Sequence, residues 1–156
     1  MSSVEKVEIN VEIKSPADKF HDVFSCRPHH VNTMSPDTVH ACDLHEGDFG
    51  KQGTVVCWSY THDGEKKIAK ELVEEIDDVN NSTTFKVIEG DLLKDYKFFR
   101  FIVKATPKGE GGSVVNWTLE YEKMNPQTSP PHTLLDFLAQ CTRDIDSHLV
   151  AQLQIN

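Results

Sequence analysis

The sequence predicts an α+β fold: a highly curved antiparallel sheet of seven strands wrapped around a long C-terminal helix, with two short helices between the first and second strands. Three observations carry this. The chain opens with a strictly alternating segment, Val7-Glu8-Ile9-Asn10-Val11-Glu12-Ile13, the pattern of a half-buried strand. It closes with an amphipathic segment over 134–151. Between them runs a series of aromatic-rich, strand-like segments, most of them joined by short turns. At 156 residues the chain is expected to form a single domain over 1–156, long enough for a core of ordinary size.

Each element has its own signal. Ser15-Pro16-Ala17-Asp18 reads as a helix start, with serine as N-cap, proline at the first helical position and an acid at the positive end of the dipole. A helix over 17–25 carries Phe20, Val23 and Phe24 on its apolar side; Arg27-Pro28 interrupts it. A short second helix over 29–32 follows and ends at Ser35-Pro36, since a residue before proline leaves the helical region. Strands are then expected over 39–44 and 54–61, the latter turning at Asp63-Gly64, a strong two-residue hairpin signal. The return strand, 66–77, shows Ile68, Leu72 and Ile76 at one parity, which also assigns Lys70 to the inward face.

Asn80-Asn81 marks the next turn, before strands over 83–89 and 96–106 and a glycine-rich turn over 108–112. In the last strand, 114–123, Val115, Trp117, Leu119 and Tyr121 alternate with Asn116, Thr118, Glu120 and Glu122, so one face is buried and one wet. A proline-rich linker leads to the final helix, where Leu134, Leu138, Cys141, Ile145 and Leu149 recur at three- and four-residue steps. A helix of roughly 18 residues is about 27 Å long, close to the span of an eight-residue strand. The natural twist of such a sheet lets it curl around the rod.

Composition narrows the function. The formal net charge is −9 and the 16 Lys+Arg are scattered, which disfavours nucleic acid, whose binding rests on clustered cations. No run is apolar enough to span a bilayer, and charges follow closely on Met1 and Ser2 where a signal peptide needs an apolar stretch; a cytoplasmic protein is expected. Cys26, Cys42, Cys57 and Cys141 form no CxxC pair, consistent with reduced thiols. His40 and Cys42 share a strand face by parity, but nothing has the paired spacing of a zinc module, so no metal is expected. The glycine-rich loop over 46–53 lacks the Gly-Lys-[Ser/Thr] ending of a phosphate loop, and Glu46 and Asp48 repel phosphate. It reads as a structural turn, and no cofactor is expected.

Several segments in combination resemble the plant major latex proteins, within the superfamily of the birch pollen allergen and class 10 pathogenesis-related proteins. They are Glu46-Gly47-Asp48-Phe49-Gly50-Lys51-Gln52-Gly53, Trp58-Ser59-Tyr60-Thr61-His62-Asp63-Gly64, Lys86-Val87-Ile88-Glu89-Gly90-Asp91, Thr142-Arg143-Asp144-Ile145 and Arg27-Pro28-His29-His30-Val31. The resemblance covers essentially the whole chain. It implies a helix-grip arrangement with a large apolar cavity between sheet and helix, binding of a small hydrophobic plant molecule, and a link to defence or stress. A monomer or weak dimer is expected.

By strand parity Val56, Trp58 and Tyr60 share a face, as do Phe85 with Val87, Phe99 with Phe101, and Trp117 with Leu119 and Tyr121. Periodicity alone reads these equally as a filled core. The resemblance implies instead that such faces line a pocket, with Phe24, His30, Ile68, Leu134, Leu138, Cys141 and Ile145. Lys70 has two readings: a lysine paired with an acid or reaching the rim, or a polar handle in an apolar pocket. With Tyr60 and His30 it completes the acid/base candidates for the rival reading, an isomerase, cyclase or condensing enzyme of specialised metabolism that uses the same cavity.

Overall fold

The computed structural model describes residues 3–155; Met1, Ser2 and Asn156, which belong to the expected domain and to the chain start read above, lie outside the described residues. Strands β1 (Glu5–Ile13), β2 (Val39–Glu46), β3 (Val55–His62), β4 (Glu65–Asp77), β5 (Ser82–Gly90), β6 (Tyr96–Pro107) and β7 (Ser113–Lys123) form one sheet in the order β1-β7-β6-β5-β4-β3-β2. Every pairing is antiparallel. Helices α1 (Ala17–Cys26) and α2 (Val31–Met34) connect β1 to β2, and α3 (His132–Ile155) ends the chain. The expected α+β architecture is the one observed.

Local chemistry accounts for most of the turns. Asp63 and Gly64 both take positive φ, 53° and 77°, the geometry of the hairpin turn that follows the natural strand twist. Gly90 ends β5 at φ 126°, where an added Cβ would run into the Ile68 carbonyl, so a side chain there collides with the β4 backbone. At the start of α1 the expectation is corrected by one residue. Pro16, not Ser15, occupies the N-cap position, and the Ser15 hydroxyl donates instead to the Asp146 carboxylate.

Bulges decide which side chains face inward. In β4 the register skips between Val73 and Glu75, and such an extra residue reverses the phase of the strand. Ile76 therefore packs towards the core, while upstream of the bulge Ala69, Glu71 and Val73 are buried. The inward face expected for Ile68, Lys70 and Leu72 is thus wrong: Ile68 is 52% exposed. A second bulge, between Val39 and Ala41, turns Val39 and Cys42 inward and His40 outward, so His40 and Cys42 do not share a face.

Helix α3 packs against β1, β3, β7 and both short helices. Its apolar stripe, Leu134, Leu138, Cys141, Ile145 and Leu149, is buried throughout. Three polar side chains tie the rod to its surroundings. Thr142 accepts the Trp117 indole N–H at 2.8 Å, and Asp144 accepts the Ser35 hydroxyl at 2.7 Å. Asp146 accepts the backbone N–H groups of Lys14 and Ser15, each at 3.0 Å. Every tie satisfies a polar group where helix meets sheet or loop.

Candidate functional site

Between α3 and the sheet lies a cavity of about 540 Å³ of empty space, counted out to its open side. Keeping a water's radius from every wall leaves about 60 Å³, room for a handful of waters. The interior is therefore narrower than the large cavity implied by the resemblance, because bulky rings fill much of it. Phe24 meets Trp117 edge-on at 5.2 Å, Trp58 meets Phe85 edge-on at 6.2 Å, and Tyr60 tilts against Phe137 at 5.6 Å. Such contacts hold the rings in fixed orientations.

Of the side chains expected in the pocket, the structure brings Phe24, Trp58, Tyr60, Phe85, Phe101 and Trp117 to the cavity wall, together with Leu134, Leu138 and Cys141 on α3. Val56, Val87, Phe99, Leu119 and Ile145 are fully buried but pack as core behind that wall. Ile68 points to solvent. His30 is exposed, lying edge-on to His29 at 4.3 Å, and is absent from the wall. Lys70 takes the first of its two readings: its ammonium lies 3.6 Å from Glu89 on the outer face. Of the three acid/base candidates only Tyr60 reaches the cavity.

Four wall residues escape the sequence reading: Val39, Ala69, Glu71 and Phe137. Val39 sits beside the β2 bulge, and Ala69 and Glu71 lie upstream of the β4 bulge, at the parity opposite to that of Ile68, Leu72 and Ile76. Phe137 stands three residues after Leu134 and four before Cys141, so it shares the helical stripe and that spacing could have found it. Glu71 matters most, because it places a carboxyl in an otherwise apolar interior. Burial pushes its pKa from 4.5 up to about 8, against a smaller opposing pull from the Trp58 indole. No cation of the described residues pairs with it.

Two further polar atoms meet no partner. The Trp58 indole nitrogen and the Tyr60 hydroxyl are buried without a hydrogen bond, although the indole lies near enough to Glu71 to favour its charged form. Burial, then the nearby Glu71, raises the Tyr60 and Cys42 pKa values, so both stay protonated. Register explains the grouping: Val56 pairs with Glu71 and Trp58 with Ala69, which sets Trp58 diagonal to Glu71 on the inner face. Close by, the His62 ring contacts the Thr133 hydroxyl at 2.9 Å and packs on Phe137, linking the β3–β4 turn to the first turn of α3.

The loop over 46–53 turns away from this chemistry. The Thr54 hydroxyl donates to the Asp48 carbonyl at 2.6 Å and accepts the Asp48 N–H at 3.2 Å. Phe49 stacks on His29 with centroids 4.0 Å apart. Its amide and aromatic ring are thus engaged in local packing. Among the described residues, no group of three or more His, Cys, Asp or Glu could hold a metal ion, and no helix is long and apolar enough to cross a membrane.

A sheet closed by one long helix, with a cavity held between them, defines the helix-grip class. The chain belongs to the pathogenesis-related protein Bet v 1 family, matched over residues 2–152, and within it to the MLP-like proteins. It is 49% identical to MLP-like protein 43 of Arabidopsis thaliana over 152 residues, covering 97% of this chain and 96% of that protein. It is 51% identical to MLP-like protein 28 of the same plant, again over 97% of this chain, but spans only 45% of that protein's length. Among solved structures, ginseng major latex-like protein 151 from Panax ginseng superposes with a TM-score of 0.91 at 45% identity, covering 94% of this chain and 98% of that one.

Proposed function

We propose that this protein binds and carries a small hydrophobic plant metabolite in its internal cavity, in the service of defence or stress responses. The observation that carries the reading is a cavity walled by aromatic and aliphatic side chains with few polar groups to discriminate among guests. The family's pathogenesis-related description supports the physiological setting. A guest that loses about 200 Å² of apolar surface gains on the order of 5 kcal/mol before the cost of immobilisation. The space favours a compact guest. A sterol or a long acyl chain fits only if wall side chains swing aside.

Titration with N-phenyl-1-naphthylamine, an uncharged fluorescent probe, tests the reading, with displacement by a metabolite panel to rank guests. Ala69→Phe places a ring in the cavity from the β4 side. The expected result is saturable binding by the native protein and at least a tenfold loss in Ala69→Phe, with an unchanged far-UV spectrum. Equal probe binding by both proteins places the probe elsewhere and overturns the reading. Turnover of a panel member that Tyr60→Phe abolishes, with displacement binding retained, favours the enzyme instead.

A further inference from the structure

The cavity's few polar groups are not a random set. Trp58 Nε1 can only donate, and the Tyr60 hydroxyl lacks a partner; each such orphan is costly in an apolar interior unless something meets it. Glu71 has no cation of the described residues to stabilise a carboxylate. Its chain neighbour Lys70 is turned outward to Glu89. Thr142 already accepts the Trp117 N–H. The site thus offers three donors, the indole, the phenol and the protonated carboxyl, and no positive charge. A carboxylate or phosphate guest finds no counter-ion. An ammonium guest must force Glu71 to ionise against its burial.

We propose that the cavity selects compact, uncharged molecules presenting a carbonyl-type oxygen, which accepts hydrogen bonds from the Trp58 indole, the Tyr60 hydroxyl and the Glu71 carboxylic acid. This rests on the cavity-binding reading above and adds the chemical class of the guest. The three donors come from adjacent strands, β3 and β4, and share one inner face, with Trp58 two residues along the ladder from Tyr60 on one side and from Glu71 on the other, so a guest oxygen seated at the indole has the other two donors flanking it. The aromatic wall then covers the remaining hydrocarbon.

The test uses three probes of one shape, followed by NMR titration of the full chain: acetophenone, α-methylstyrene, in which a CH₂ replaces the oxygen, and 1-phenylethylammonium. At pH 6.5 acetophenone is expected to bind about tenfold more tightly than α-methylstyrene, the worth of one or two buried hydrogen bonds. That ratio is expected to fall to about threefold or less in Glu71→Leu, and to fall in Trp58→Phe, but to persist in Glu71→Gln, whose amide still donates.

Raising the pH through about 8 is expected to weaken acetophenone in the native protein and not in Glu71→Gln. The other titratable groups on the surrounding elements, Tyr60 on β3, Cys42 on β2 and Cys141 on α3, are held protonated by burial over this range. Equal affinity for ketone and hydrocarbon overturns the proposal and leaves the binding reading standing. Tighter binding of the ammonium overturns it in favour of a carboxylate counter-ion. Failure of all three probes, with N-phenyl-1-naphthylamine still bound, overturns it as well; failure of all four overturns the binding reading itself.

Discussion

Glu71 is a carboxyl held in the interior without a counter-charge, and the cost of that arrangement is measurable. Its native pKa lies above its ordinary 4.5, at about 8, because burial disfavours the charged form. The folded state therefore holds a proton that the unfolded chain releases. The favourable contribution is complete below about 4.5 and is lost as pH rises towards about 8. Glu71→Gln is always neutral. Urea denaturation is expected to show it gaining roughly 2–4 kcal/mol on the native protein between pH 5 and pH 8.5. Parallel stability curves would sink this account. Glu71 escapes the parity of Ile68, Leu72 and Ile76 because the bulge after Val73 puts Ile76 out of phase with the rest of β4; Glu71 faces inward with its β3 partner Val56. Tyr60 and Trp58 were legible because β3 alternates without interruption through 56–61.

At the scale of the element, α3 acts as a rod with three anchoring points spaced two residues apart, at 142, 144 and 146. Alternate residues on a helix point to different sides, so each anchor reaches a different neighbour. Asp146 is the richest, taking two backbone N–H groups and a hydroxyl at the β1–α1 junction. Asp146→Ala leaves those donors without their charged acceptor. A loss of about 2–3 kcal/mol is expected in urea denaturation, with a smaller loss in Asp146→Asn; a change under 0.5 kcal/mol would show that water replaces the carboxylate. Most of the apolar stripe of α3 was legible, because 3.6-residue periodicity survives along a helix; Phe137 was missed. The helix's anchors were not legible, since their partners lie more than a hundred residues away in Asp144 and Asp146. Strands read less well than the helix wherever a bulge resets their phase.

Across the whole molecule, order in the sheet sets a gradient of stability. β6 and β7 have a neighbour on each side, whereas β1 and β2 end the sheet. Amide exchange is expected to be slowest in the inward-facing middle of β6 and β7 and fastest in β2, with bound N-phenyl-1-naphthylamine slowing β2 and α2 selectively. Uniform protection from β1 to β2 would contradict that picture. The topology was legible because each hairpin carries its own turn signal, so neighbours in sequence become neighbours in space. How much of the interior is empty was not, since that depends on ring orientations to which periodicity is blind.

The ends of the sheet carry a consequence for capacity. Among the described residues no ladder of hydrogen bonds joins β1 to β2; the α1–α2 connection spans that seam, and α3 is tied to both of its sides through Asp144 and Asp146. Spreading it therefore breaks no strand pairing, in the manner of an expansion joint. Widening the interior along this line is opposed by the Ser35–Asp144 and Ser15–Asp146 ties rather than by the sheet's own hydrogen bonds.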